Sequence, residues 1–160
     1  RLLFFFDDIG VGGRGERGKH VSPAEEIKRF ASRYDPQRFH MDEEAARQSQ
    51  FGALCASGWH TAAVCMRMIV DSTRRLASEM IERGEQPART GPSPGFTDLK
   101  WLKPVYAGDT ITFTSEVIEK RASESRPGWG VVRTRFAGHN QNGAPVYQFD
   151  GVVFVERRSA

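Results

Sequence analysis

One long helical pattern followed by four strand-like segments restricts this chain more than anything else in it. From Ser57 or Gly58 to about Arg83, Ala62, Ala63, Cys65, Met66, Met68, Ile69, Val70, Leu76, Met80 and Ile81 recur at helical spacing. The first half of this stretch is apolar nearly all round, the signature of a helix wrapped by other structure. The second half, with Arg74, Arg75, Glu79 and Glu82, is amphipathic and is expected to emerge into water. A loop rich in Pro and Gly follows from Gly84 to Gly95. Strand-like segments then run Thr97–Leu102, Thr110–Lys120, Gly130–Gly138 and Val146–Glu156, with alternation such as Ile111/Phe113/Ser115/Val117. Turn residues Gly108-Asp109, Arg126-Pro127-Gly128 and Asn140-Gln141-Asn142-Gly143 separate them. Hairpin-type connections imply an antiparallel sheet whose apolar face needs a cover, and only the long helix has the length to supply it. The expected class is α+β, a single domain over residues 1–160.

The first third of the chain is shorter-ranged in its signals. Phe4-Phe5-Phe6 reads as a brief strand, and Gly10, Gly12, Gly13, Gly15 and Gly18 as a turn-rich connection. The loose G-x-G-x-x-G match at Gly10–Gly15 opens no helix, so it is read as loop rather than as a phosphate fingerprint. Lys19-His20-Val21 is a second short strand. Ser22-Pro23-Ala24-Glu25 then has the form of a helix start, with Ser22 as N-cap and Glu25 completing a capping box. Ile27, Phe30, Ala31 and Tyr34 supply the buried face of that helix, which Pro36 stops at Asp35. His40 falls in the following loop, and Met41–Arg47 is a second, short helix with acids in its first turn.

Composition excludes more than it selects. With 39% hydrophobic and 27% charged residues this is an ordinary globular chain, and Arg67 and Asp71 interrupt the best apolar run before it reaches membrane-spanning length. The opening Arg-Leu-Leu-Phe-Phe-Phe is too short for a secretory h-region, so a cytoplasmic location is expected. A net charge of +3 with scattered positive residues argues against a nucleic-acid surface and suits a small anionic substrate. Cys55 and Cys65 lack any zinc or disulfide pattern and read as buried small hydrophobes; no metal site and no cofactor are expected.

The chemistry-bearing stretch is Asp35-Pro36-Gln37-Arg38-Phe39-His40, followed by Phe51-Gly52-Ala53-Leu54-Cys55-Ala56-Ser57-Gly58 at the head of the long helix. A carboxylate, an imidazole and a helix N-terminus together can move protons and hold a developing oxyanion. With Leu102-Lys103-Pro104-Val105-Tyr106-Ala107-Gly108-Asp109 entering a strand, this order resembles the MaoC-like dehydratases, relatives of the (R)-specific enoyl-CoA hydratases, over nearly the whole chain. The resemblance implies a single hotdog fold, an antiparallel sheet wrapped around one long helix. It also implies catalytic roles for Asp35 and His40, which stand at the acid and imidazole positions of a D-x-N-P-x-H motif. Gln37 stands where that motif has asparagine, and Pro36 precedes the amide instead of following it. Gly58 matches the glycine whose amide faces the thioester oxygen, with Ser57 as the helix N-cap. Gln37 has two open roles, substrate contact or bracing of the loop. His60 either reaches the same pocket, lies on the helix surface or packs structurally, and His20 and His139 have no acidic companion at useful spacing.

The implied reaction is hydration of 2-enoyl thioesters, or the reverse dehydration, on a coenzyme A or acyl-carrier substrate. A homodimer or higher homo-oligomer is implied as well. Two other functions compete. A thioesterase on the same fold would place an acid early on the long helix, yet Gly58 to Val70 holds no Asp or Glu. A non-catalytic acyl-thioester-binding module would need none of these groups to react.

Overall fold

The computed structural model describes residues 3–158; Arg1, Leu2, Ser159 and Ala160, included in the expected domain and leader readings, lie outside the described residues. The elements are a 3-10 turn Phe6–Asp8, β1 Arg14–Val21, α1 Ala24–Tyr34, α2 Arg38–Met41, α3 Glu43–Arg47, α4 Gly58–Glu82, β2 Gly95–Trp101, β3 Thr110–Ala122, β4 Trp129–His139 and β5 Pro145–Glu156. All pairings are antiparallel, in the order β1-β3-β4-β5-β2. The sheet packs around the 25-residue α4, and the fold is a hotdog.

Alternation dictates which face of the sheet is buried. Ile111, Phe113, Ser115 and Val117 of β3 point inward; Ile111 and Phe113, with Phe136, Val146, Tyr147 and Phe149, form one core with Cys65 and Ile69 of α4 and Ile27 of α1, and Val117 joins a second. The expected strands from β3 onward are present, but β2 does not form a hairpin with β3. It crosses to the far edge and pairs with β5, because its connection to β3 is a looped segment rather than a tight turn. Arg133 pins this edge strand, donating to Thr97 Oγ1 at 2.9 Å, Asp98 Oδ2 at 2.8 Å and the fully buried Asp150 Oδ2 at 3.0 Å.

Several local expectations are corrected. Phe6–Asp8 is a 3-10 turn and not a strand, closed by Asp8 N–H to the Phe5 carbonyl at 2.8 Å. The Phe6 ring is seated on Gly130, where a Cβ would come within 2.0 Å of it, in a second apolar cluster with Ile9, Val132 and Val155. Burying that ring favours the turn over an extended strand. The glycine-rich connection becomes strand from Arg14 onward, because β3 is long enough to offer it ladder partners up to Glu116. Ser22 caps nothing: Pro23 is the N-cap residue of α1, no side-chain bond is made there, and Ser22 instead gives its carbonyl to Gly108 N–H at 3.0 Å. The expected short helix is two, split at Asp42, whose carboxylate accepts from Ala45 N–H at 2.7 Å and starts α3 afresh. The first half of α4 is not wrapped on all sides, since Trp59 and Met66 are each about half exposed, at 55% and 49%.

Candidate active site

Pro36 disfavours helix at the residue before it, so α1 ends at Tyr34 and Asp35 sits at its C-cap with φ −155° and ψ 68°. Gln37 and Arg38 then start the single turn of α2, which carries His40 inward; His40 lies in this turn rather than in a loop. The segment before α4 is held on both sides. Ala56 N–H donates to the Val105 carbonyl at 2.8 Å, Ala107 N–H to the Leu54 carbonyl at 3.0 Å, and the Tyr106 hydroxyl to the Phe51 carbonyl at 2.7 Å. The Leu102–Asp109 segment is thus the clamp that fixes the start of α4. Asp109 shapes its turn by accepting from Tyr106 N–H at 2.9 Å.

These constraints bring Asp35, Gln37, His40, Ser57 and Gly58 together. His40 Nε2 lies 3.4 Å from Asp35 Oδ2. The Ser57 hydroxyl donates to Asp35 Oδ2 at 2.6 Å, and the Gln37 amide donates to Oδ1 at 2.8 Å. Ser57 occupies the N-cap position of α4, but its hydroxyl makes no cap bond because the carboxylate takes it. Gln37 thus braces the acid and also lines the cleft. Partial burial alone would raise the Asp35 pKa; the bonds from Ser57 and Gln37 and the nearby His40 outweigh it, and the carboxyl lies below its ordinary value.

On the other side of the imidazole, His40 Nδ1 is 2.7 Å from the Cys55 carbonyl. A carbonyl only accepts, so Nδ1 carries the hydrogen and the neutral ring leaves Nε2 as a bare lone pair. Cys55 is buried, and burial pushes its thiol up to about 11, so it is no thiolate near neutrality.

Gly58 is the first residue of α4, and its N–H has no partner among the described residues. The Trp101 indole lies directly over it: a Cβ there would stand 2.5 Å from the ring, and Nε1 donates to the Gly58 carbonyl at 2.8 Å. Only glycine permits this approach. Trp101 was not foreseen from sequence, since a lone tryptophan in a strand-like run carries no spacing signal.

The group opens on a cleft of about 410 Å³ lined by Phe39, Phe51, Trp59, Trp101 and Leu102, with Lys103 at its edge. Met66 and Met68 do not line it: Met66 borders a separate cavity and Met68 packs beneath Gly18. His60, left between pocket and packing, takes the packing role. It is buried, stacks on Phe30 at 4.7 Å and lies 3.9 Å from Glu26. His20 does have an acidic companion, Glu26 at 2.8 Å, which α1 brings across from six residues away. Among the described residues no group of three His, Cys, Asp or Glu side chains is placed to hold a metal ion, and no helix is long and apolar enough to cross a membrane.

Comparison with known proteins gives this geometry a setting. Residues 9–136 match the family model described as MaoC like domain. A MaoC-like dehydratase from Rhodospirillum rubrum is 38% identical, with 98% of this chain and 99% of that chain covered and a TM-score of 0.83. An unliganded (R)-hydratase from Pseudomonas aeruginosa shares the fold at 22% identity, covering 98% of this chain and 88% of that one, TM-score 0.68. A mesaconyl-CoA hydratase from Cereibacter sphaeroides is 39% identical over 64 residues, which is 40% of this chain and only 18% of that protein.

Proposed function

Because the chain belongs to the MaoC-like domain family, we propose that it hydrates 2-enoyl thioesters to 3-hydroxyacyl thioesters of (R) configuration, or runs the reverse dehydration, with Asp35 and His40 as the reacting pair. The observation that carries this reading is the geometry of that pair. Nδ1 of His40 is committed to the Cys55 carbonyl and Asp35 is held ionised, so two proton acceptors face each other 3.4 Å apart. A water molecule on the cleft side of the pair would donate one hydrogen to each and aim its oxygen lone pair into the cleft. As that oxygen bonds to the β-carbon of the substrate, Nε2 takes the proton, and Asp35 stabilises the imidazolium. The double-bond electrons move to the thioester oxygen, which the free Gly58 N–H at the positive end of α4 receives. The imidazolium then returns its proton to the α-carbon, and H and OH have been added with the ring back in its starting state.

The apolar walls from Phe39, Phe51 and Trp59 suit an acyl chain. Hydrolysis of the thioester is the competing activity, and the two differ in product: hydration removes the enoyl absorbance with the thioester intact, whereas hydrolysis releases thiol. Asp35→Asn and His40→Ala are each expected to lower kcat/KM for a 2-enoyl-CoA by about 100-fold or more, with unchanged circular dichroism. Undiminished hydration in both variants would overturn the assignment.

A further inference from the structure

Strand β1 carries a guanidinium for which the cleft has no use. Between Glu16 and Gly18 the β1–β3 register slips by one residue, and Gly18 adopts φ +149°, backbone that side chains rarely enter. The residue in the bulge is Arg17. Its side chain turns inward and the residue is only 9% exposed. Nε donates to Ser115 Oγ at 2.9 Å; the remaining N–H groups have no acceptor, and no carboxylate pairs with Arg17, among the described residues. The stem is buried while the forked end, without a counter-charge of its own, faces the open space beside it.

The guanidinium opens on a cavity of about 570 Å³ between β1 and the second half of α4, with Arg14, Arg75 and Arg83 on its walls against Glu16 and Glu79. Arg14 is tied to Glu116 at 3.3 Å and Arg83 to Glu85 at 2.8 Å, while Arg75 has no ion pair among the described residues. We infer that this cavity binds a phosphate-bearing small molecule, with Arg17 as its floor and Arg75 as its wall. The forked guanidinium donors match phosphate oxygens two at a time, and two converging cations favour a multiply charged group such as a diphosphate over a single carboxylate. The volume is that of a small-molecule site. A second copy of the chain fits poorly, because a subunit interface has an apolar centre, whereas this cavity is lined mainly by charged and polar side chains.

The test is calorimetric titration of the full chain with inorganic pyrophosphate, with thermal melting and light scattering in parallel. Saturable one-to-one binding with a raised Tm is expected, weakened about ten-fold or more in both Arg17→Gln and Arg75→Gln. Should Arg17→Gln fail to fold, the wall variant Arg75→Gln still carries the test. Equal affinity in wild type and variants, absence of saturation at millimolar pyrophosphate, or a change of oligomeric mass in Arg17→Gln without an effect on pyrophosphate would each overturn the inference, the last by making the cavity a subunit contact.

Discussion

At the scale of the residue, the site depends on small groups that decide the protonation of larger ones. Ser57 is fully buried and spends its only hydroxyl hydrogen on Asp35, so it acts on the acid instead of capping the helix it precedes. Ser57→Ala removes a bond that favours the charged carboxylate and therefore raises the Asp35 pKa toward its ordinary value, since burial then acts with less opposition. The acid limb of the kcat/KM profile should move to higher pH, while activity at neutral pH, where the carboxylate stays ionised, should change little. The linkage has a definite sign. With its folded pKa depressed, Asp35 contributes stability that is full above 3.8 and is lost as pH falls through the folded value, and Ser57→Ala should shrink that contribution in acid melts. The chain's own sequence displays Ser57 as a helix cap, because Ser before Gly and an apolar helix is what a cap looks like; nothing local announces a carboxylate twenty-two positions upstream.

At the scale of the element, α1 and α4 are joined by the Phe30–His60 stack, ring centroids 4.7 Å apart and nearly parallel at 8°. Asp35 terminates α1 and Gly58 begins α4, so this contact sets the distance between acid and amide. His60 Nδ1 is buried without a partner, and burial drives the His60 pKa below the ordinary 6.5 despite Glu26 on α1, with His20 on β1 and His40 on α2 acting in the same sense as burial. The unfolded chain therefore binds a proton there before the folded one does. Stability attributable to His60 should be complete above pH 6.5 and decline as pH falls below it. Denaturant midpoints measured between pH 7.5 and 5 should fall more steeply in wild type than in His60→Phe, which keeps a ring to stack and removes the proton site. Identical slopes would show that His60 is not the group being titrated.

At the scale of the whole molecule, the two sheet edges differ. β1 is blunted by glycines, a bulge and the charges of Arg14, Glu16 and Lys19, whereas β2 is exposed along most of its length and shows Phe96 at 58% and Trp101 at 46%. Leu102 and Trp59 extend this apolar surface toward the mouth of the cleft. A second copy pairing along β2 would cover it and close the cleft from outside. Light scattering should return twice the chain mass, and Phe96→Asp combined with Leu102→Asp should return a single chain with weakened substrate binding. A monomeric wild type at tens of micromolar would count against the dimer.

The order of strands and helices, the stop at Asp35 and the reach of the long helix were legible in the sequence, because each is set by interactions within a few residues: proline sterics, apolar periodicity and turn residues. Asp35, His40 and Gly58 were singled out together by their match to a family motif, and the fold places all three on one cleft. The crossing of β2 to the far edge, the Trp101 indole over Gly58, Glu26 between two histidines and the inward turn of Arg17 were decided only in three dimensions. Each depends on a partner distant in the chain or on a register shift, and the free energy that selects it appears only when the sheet closes on the helix.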